Sequence, residues 1–438
     1  MSNRVRLGLV VLTLLVIGAL YAEGVVKTGW LLAPLMVPLL LALVSTGTLA
    51  RASLVVLLVI SAVGLALSLL DLILRPTIGD RLHYTPTNVS SRKLPKLPIL
   101  GRWDAARMLD RESYGDLAAM AGDPALQERR RIIFQTDAFG FRNMESAVPA
   151  GLIVLGDSFP AGGGTSDEDV VARLLETKHG YRTYNLSYPG GPYDQFINFA
   201  IEWERMKVSA RPSMIWTFYT GNDLDDEGGK VWNIEDLPWR RGVAAWLVTY
   251  RTYRDRSPLN QWMAAIRHRW SGDAATVLVR QLPDGRPMLF WGPQEASAQR
   301  SREEVEKHPN FGKLKRTLAA MRSLAEKREV DLTILILPTK GEVYGGLLAS
   351  KESIFSDPIP SGFAQAVLAV CEATSIRCRD TKPYFISEAR RLYANNNSLL
   401  WWRDDTHIGP QGHAALASFI AEEILPSSHQ SSKTAQAQ

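Results

Sequence analysis

The sequence has little cysteine and no concentration of charge, and both shortages narrow the possible functions. Its 438 residues include two cysteines, and no cysteine and histidine pattern has the spacing of a metal site. The net charge is only +5, and no basic run with interleaved aromatic residues is typical of a nucleic-acid surface. We therefore expect no metal site, no cofactor and no nucleic-acid partner.

Uncharged apolar runs are concentrated at the N-terminus. Residues 7–22, 30–50 and 52–70 are each close to the roughly 20 residues that cross a bilayer. Flanking arginines, including Arg51, favour the cytoplasmic side. We predict a multi-pass anchor of three transmembrane helices over 1–75 in a bacterial inner membrane, with the rest of the chain on the periplasmic side. For the first run, a cleaved signal peptide is the alternative.

The two cysteines lie close together in the sequence. Cys371 is near the end of a helical pattern, and Cys378 is in a short strand-like segment. A disulfide between them would join a helix to a strand, and such a bond is favoured outside the cytoplasm. Two buried free thiols are the alternative.

The rest of the chain divides by composition. Residues 76–134 carry proline and charge with little periodicity, which predicts a linker and an irregular lead-in. Strand and helix patterns alternate over 135–425, and 426–438 have the composition of a disordered tail. An insertion at about 225–310 interrupts the alternation. We expect it to be a helical cap with a tryptophan core; the alternatives are an aromatic carbohydrate cleft and a surface that lies against the membrane. Its tryptophans are Trp232, Trp239, Trp246, Trp262, Trp270 and Trp291.

One stretch predicts a reactive serine. Four apolar residues, 152–155, are followed by Gly156, Asp157 and Ser158, so a short buried strand would end in a turn that carries a hydroxyl group. Such strand ends are where open α/β sheets place their ligands. An ordinary turn is the alternative, since all three residues are turn formers.

Three further pieces follow in order. Gly190 and Gly191 come after a predicted strand, where a glycine brings a backbone N–H close to a ligand. Asn222 follows the next strand and can donate its amide to an oxyanion. Near the C-terminus, Asp404 lies three residues before His407, a spacing that lets a carboxylate fold back onto the imidazole.

Serine, glycine, asparagine and Asp-x-x-His in this order resemble the SGNH (GDSL-type) hydrolase superfamily. The resemblance implies a flavodoxin-like three-layer α/β/α sandwich with a parallel sheet over about 135–425. It implies that Ser158 is the nucleophile, His407 the general base and Asp404 the acid that orients it. It also implies an oxyanion hole formed by the N–H groups of Ser158 and Gly190, with Gly191 as an alternative to Gly190, and by the Asn222 side chain.

The segment after the strand pattern 330–337 is similar to one in membrane-tethered bacterial members and in alginate O-acetyltransferase-like relatives. That similarity implies that Lys340 and Tyr344 face the substrate. The leading interpretation is a membrane-anchored, extracytoplasmic serine esterase that acts on O-acyl groups of envelope glycans or lipids. An O-acyltransferase using the same triad, supplied by a multi-span membrane partner, and a non-catalytic glycan-binding or scaffold domain are the alternatives.

Overall fold

The computed structural model describes residues 47–74, 103, 106, 108–144, 148–227 and 276–425. The chain forms two compact units, and one of them takes in Met1–Tyr84 and Trp239–Gly272. In this unit the structure describes helix α1 (Gly47–Leu74). The stretch Val55–Leu74 is long and apolar enough to cross a membrane, judged by length and composition.

Helix α1 corrects one predicted boundary. The runs 30–50 and 52–70 predict a break at Arg51, between two spans, but the helix is continuous from Gly47. Arginine is a good helix former, so one charged residue does not end a helix. The first predicted span and most of the second lie outside the described residues, so the three-span anchor stays a prediction.

The other unit, Thr85–Pro238 and Asp273–Gln438, is mixed α/β. Its first elements are β1 (Met108–Ser113), α2 (Asp116–Ala121), β2 (Arg130–Gln135), β3 (Ala150–Leu155), α3 (Val171–Thr177), β4 (Thr183–Asn185), α4 (Pro192–Glu202), β5 (Val208–Tyr219) and α5 (Asp223–Asp226). The elements after residue 276 are β6 (Val277–Gln281), β7 (Pro287–Trp291), α6 (Gly292–Ala298), α7 (Arg302–Lys307), α8 (Phe311–Lys327), β8 (Asp331–Leu337), α9 (Lys340–Leu348), α10 (Gly362–Thr374), β9 (Arg377–Asp380), α11 (Lys382–Asn396) and α12 (Pro410–Phe419).

Five strands form a parallel sheet in the order β4-β3-β5-β8-β9. Numbered by their appearance in the sheet, this is order 2-1-3-4-5, one of the common orders of doubly wound α/β sheets. The order in which the chain adds strands to the sheet reverses between β3 and β5, where Leu155 pairs with Trp216. Ligands bind such sheets outside the carboxyl ends of the strands at this switch point. Ser158 and Asn222 follow these two strands.

Both faces of the sheet are covered. Leu152 and Val154 belong to a buried cluster that includes residues of α3, α11 and α12. On the opposite face, the indole N–H of Trp216 donates to Gln195 of α4 at 2.5 Å. Alternate strand residues are therefore buried on opposite sides, and the unit is compatible with an α/β sandwich.

The predicted irregular lead-in over 76–134 is wrong from residue 108 onward. β1 and β2 form an antiparallel pair there, with α2 between them in sequence. In β2, Ile132 and Phe134 are buried, and they alternate with more exposed neighbours. This period of two is typical of a strand.

The described part of the insertion differs from a helical cap. Residues 277–291 form the β6–β7 hairpin, which turns at Gly285 with φ of 82°. Helices α6 and α7 follow the hairpin. Trp291 ends β7. The other five tryptophans of the insertion lie outside the described residues.

Near the far edge of the sheet, α10 and β9 are joined by a disulfide. Cys371 and Cys378 are its two residues, with 6.2 Å between their Cα atoms. Of the two alternatives that the sequence leaves open, the structure therefore has the crosslink. The chain order helix, short turn, edge strand brings the two thiols together.

Candidate active site

Ser158 lies in a tight turn that follows β3. A side chain at Gly156 would come within 2.0 Å of Thr217 Oγ1, so this position leaves no room for one. The carboxylate of Asp157 accepts the N–H of Phe159 at 2.9 Å and thereby closes the turn. Burial is the main reason that the pKa of Asp157 is raised, to about 7. Ser158 itself is half-buried at the end of the sheet.

His407 reaches this serine from the C-terminal end of the chain. Its Nε2 lies 2.8 Å from Ser158 Oγ. The ring also packs against Phe159, with 5.1 Å between the ring centroids. Because the distance is that of a good hydrogen bond, His407 can take the serine proton without any movement.

The glycine loop, residues 161–165, follows the serine and borders the imidazole. The N–H of Gly163 donates to Ser158 O at 2.9 Å, and a Cβ at Gly163 would lie 2.8 Å from His407 Cδ2. The buried guanidinium of Arg142 donates to the carbonyls of Gly162 and Thr165 at 2.6 and 2.5 Å. Arg142 therefore holds the loop in the shape that leaves room for His407.

The acid next to His407 is Asp405, and the prediction of Asp404 is wrong in geometry. Oδ1 of Asp405 lies 2.7 Å from His407 Nδ1 and also accepts the His407 N–H at 3.1 Å. The Asp404 carboxylate instead accepts the N–H groups of Gly115 and Glu128, both at 2.7 Å. Consecutive residues in a turn point in different directions, so contacts elsewhere in the chain decide which carboxylate meets the ring.

The charges around His407 favour its protonated form. Burial lowers the pKa of His407, but the hydrogen bond with Asp405 and the negative charge of Asp405 raise it more, to about 9. Burial opposes ionisation of Asp405. The hydrogen bond and charge of His407, with the charge of Arg130, nevertheless hold the pKa of that carboxyl well below its usual range. The pair is thus an ionised carboxylate and a basic imidazole.

Sequence reasoning missed a second carboxylate beside the ring. Asp116 of α2 accepts the N–H and the hydroxyl of Thr406, at 2.8 and 2.5 Å. Its Oδ2 lies 3.9 Å from His407 Nδ1. Burial and the charge of Asp405 raise the pKa of Asp116 to about 7. No motif marks this residue, because its segment carries little periodicity.

Asp116, Asp405 and His407 are close enough to be considered as a metal site, with candidate donor atoms within 4.8 Å of one another. Those atoms are already engaged. Both Asp116 oxygens accept from Thr406, and His407 Nδ1 is bonded to Asp405. We therefore assign none of the three as a metal ligand.

The predicted oxyanion donors lie at neighbouring strand ends. Within the described part of the chain, the N–H groups of Ser158 and Gly190 donate no hydrogen bond. The carbonyl of Gly190 accepts from Gln195 Nε2 at 2.9 Å, which fixes the orientation of that peptide. The alternative donor, Gly191, is the N-cap of α4.

Asn222 is the N-cap residue of α5 and makes no capping bond. Its Nδ2 donates to Asp226 Oδ2 at 2.7 Å. An amide nitrogen carries two hydrogens, so one donor is still available. A side chain at Gly191 would come within 2.6 Å of Asp226 O, so the Asn222 segment and the glycine turn are in contact.

Lys340 and Tyr344 are buried in α9, so neither side chain is open to a substrate as the resemblance implies. The Lys340 ammonium donates to the carbonyls of Leu289, Trp402 and Asp405, at 2.9, 2.8 and 2.5 Å. The Tyr344 hydroxyl accepts the Leu400 N–H at 3.0 Å. Lys340 therefore anchors the loop that carries Asp405, and Tyr344 supports the strand-like segment before it.

A cavity of about 580 Å³ lies along the β4 edge and is not lined by Ser158, His407 or Asp405. Its walls include Phe139, Met144, Tyr184 and Lys207. The reactive groups therefore lie outside this cavity, at the carboxyl ends of the strands.

The arrangement is a hydroxyl, an imidazole and a carboxylate in series, with unused N–H groups nearby. Such a series can activate the hydroxyl for attack on an acyl carbon. No family model matches this chain, and no curated protein matches it either.

Proposed function

We propose that this protein is a serine ester hydrolase of the SGNH type that works through an acyl-enzyme. The main support for this proposal is a continuous series of hydrogen bonds through the imidazole. Ser158 Oγ lies 2.8 Å from His407 Nε2, and His407 Nδ1 lies 2.7 Å from Asp405 Oδ1. The strand order 2-1-3-4-5 supports the finer assignment of a flavodoxin-like three-layer sandwich.

In the first step Ser158 Oγ attacks the ester carbonyl while His407 Nε2 takes its proton. The tetrahedral oxyanion would be held by the N–H groups of Ser158 and Gly190 and by the Asn222 amide. His407 then returns the proton to the leaving alcohol, and the acyl group remains on Ser158. Asp405 stabilises the imidazolium throughout.

In the second step His407 takes a proton from an incoming hydroxyl, whose oxygen attacks the acyl carbon. His407 then gives that proton to Ser158 Oγ as the bond between the serine and the acyl group breaks. Water would give hydrolysis, and a sugar hydroxyl would give O-acyl transfer with the same residues. We propose an O-acylated envelope glycan or lipid as the substrate. Its support is the apolar helix at Val55–Leu74 and the disulfide, which is typical of extracytoplasmic proteins. A transferase would also need a multi-span partner to deliver acyl groups across the membrane.

The test uses the full-length protein in detergent with a short-chain p-nitrophenyl ester and a fluorescent active-site phosphonate. We expect turnover and labelling of the wild type, and neither with Ser158→Ala. Adding an acetylated glycan and a free glycan acceptor separates release of acetate from its transfer. A folded wild-type protein that is neither active nor labelled would support the binding or scaffold alternative.

A further inference from the structure

Arg130 of β2 links the two consecutive aspartates before His407. Its Nη1 lies 2.9 Å from Asp404 Oδ1, and its Nη2 lies 2.8 Å from Asp405 Oδ2. The side chain is 7% exposed, and both aspartate side chains are fully buried. One guanidinium thus serves two different carboxylates, a geometry for which its planar fork is suited and a lysine is not.

The pair of carboxylates needs this cation. Two adjacent buried charges of the same sign repel, and burial alone raises the pKa of a carboxyl group. Burial and the charge of Asp405 indeed raise the pKa of Asp404, while the charge of Arg130 opposes the rise. Without a cation between them, one of the two groups would take up a proton more readily.

Arg130 also fixes the orientation of the Asp405 carboxylate. It occupies Oδ2 of Asp405, so Oδ1 is left to meet the imidazole. Its Nε donates to Gly164 O at 3.0 Å, next to Gly163, which borders the His407 ring. Its guanidinium stacks 4.2 Å above the ring of Trp402, which stiffens the side chain.

We propose that Arg130 is the positioning residue of the site, which keeps Asp405 ionised and aimed at His407 and holds the glycine loop against the same ring. This role rests on the proposed function, because it assigns a task in the Ser158 mechanism. Arg130 touches neither Ser158 nor a reacting atom, so it acts through Asp405.

The charged groups around the Asp405 and His407 pair come from several elements. They are Arg130 of β2, Asp116 of α2, Asp157 of the serine turn, Lys340 of α9 and the adjacent Asp404. Removing the positive charge of Arg130 favours proton uptake by the pair, whichever partner takes the proton. The pH at which activity is lost on acidification should therefore rise.

The experiment compares Arg130→Gln and Arg130→Lys in the full-length protein. The matched control is Arg328→Gln, because Arg328 also stacks on aromatic rings and donates to two backbone carbonyls, those of Phe199 and Ala200. We measure kcat/KM against pH, the melting temperature and the titration of His407 by NMR with labelled histidine. The NMR titration reports on the site even if no substrate is turned over.

Arg130→Gln should lower kcat/KM at neutral pH by at least roughly tenfold. It should also raise the pH at which activity is lost on acidification (the acid limb of the pH profile) and the pH at which His407 titrates in the NMR experiment. Arg130→Lys should keep the acid limb but still lose activity, because it lacks the fork. Arg328→Gln should lower the melting temperature with no change in either titration.

Two outcomes would overturn the role of Arg130. One is a folded Arg130→Gln protein with the wild-type His407 titration and pH profile. The other, which applies even if Arg130→Gln does not fold, is full wild-type activity in Arg130→Lys. An inactive wild type with an upward His407 titration in Arg130→Gln would instead refute the proposed function and leave the positioning contact intact.

Discussion

Oδ1 of Asp405 lies 2.7 Å from Nδ1 of His407, although Asp404 is the residue at the Asp-x-x-His spacing. The two aspartates are neighbours in sequence and are both buried, yet their contacts differ in kind. Asp405 meets the imidazole, whereas Asp404 accepts backbone N–H groups of the segment before the sheet. Asp405 is placed to orient His407, and Asp404 is placed to hold two parts of the chain together.

Substitution of each aspartate by asparagine should separate these tasks. Asp405→Asn should lower kcat by about 10⁴-fold, as removal of the orienting charge does in a comparable triad, while the protein stays folded. Asp404→Asn should mainly lower stability, because its partner Arg130 would lose one buried ion pair. Ester turnover and thermal unfolding of both variants test this. Greater loss of kcat in Asp404→Asn at equal stability would restore Asp404 as the orienting acid.

The acid limb of the activity profile should lie at unusually high pH. His407 must be neutral to accept the serine proton, and its pKa is raised to about 9 by the hydrogen bond and charge of Asp405, against the effect of burial. Activity should therefore rise with pH up to about 9. Measuring kcat/KM from about pH 5 to about pH 10 checks this, because that range includes both the ordinary histidine pKa of about 6.5 and the raised value. In Asp405→Asn the limb should move to lower pH, and an unmoved limb would contradict the assignment.

The contribution of His407 to the stability of the fold should fall as the pH rises, whereas activity should increase. The pKa of His407 in the folded protein, about 9, is above the ordinary value of about 6.5 expected for the unfolded chain. Its contribution to stability is fully present below about pH 6.5 and is lost as the pH rises through about 9. Thermal unfolding of the wild type and of His407→Gln isolates this term. A melting temperature that falls equally in both proteins would show that other groups cause the change.

Asn222 should contribute to the transition state and little to substrate binding. Asn222→Ala should lower kcat by about 10²–10³-fold with KM nearly unchanged, the usual effect of losing one oxyanion donor. Asp226→Asn is the control, because it changes the partner of the amide and leaves the amide itself in place. If Asn222→Ala mainly raises KM, the side chain contacts the substrate in its ground state.

Much of the fold could be predicted from the local pattern of hydrophobic residues in the sequence. The strand pattern 330–337 corresponds to β8 (Asp331–Leu337), whose last five residues are all buried, as is typical of a central strand in a parallel sheet. The sequence does not predict β1, because Met108–Ser113 contains three consecutive charged residues and only Ser113 is buried. Its pairing with β2 depends on tertiary contacts.

The site was predictable only where its residues are tied to their own strand or turn. Ser158 follows an apolar strand directly, and His407 lies in a turn rich in polar residues, so local pattern identifies both. Arg130 meets Asp405 across 275 positions, and Asp116 meets Thr406 across 290. Such contacts are created by the tertiary fold, so neither the spacing of residues nor the composition of the sequence predicts them.

Gly163 offers the sharpest test of the geometry around His407. A Cβ there would lie 2.8 Å from His407 Cδ2, closer than real contacts allow, so the imidazole ring must shift from its position. Gly163→Ala should therefore lower kcat/KM by roughly 10²-fold, since a displacement of about 1 Å at a catalytic group has that effect. Stability should change little. Gly151→Ala is the matched control, because its Cβ would meet Ser209 at an ordinary 3.8 Å. Equal activity of the two alanine variants would show that His407 does not act from this position.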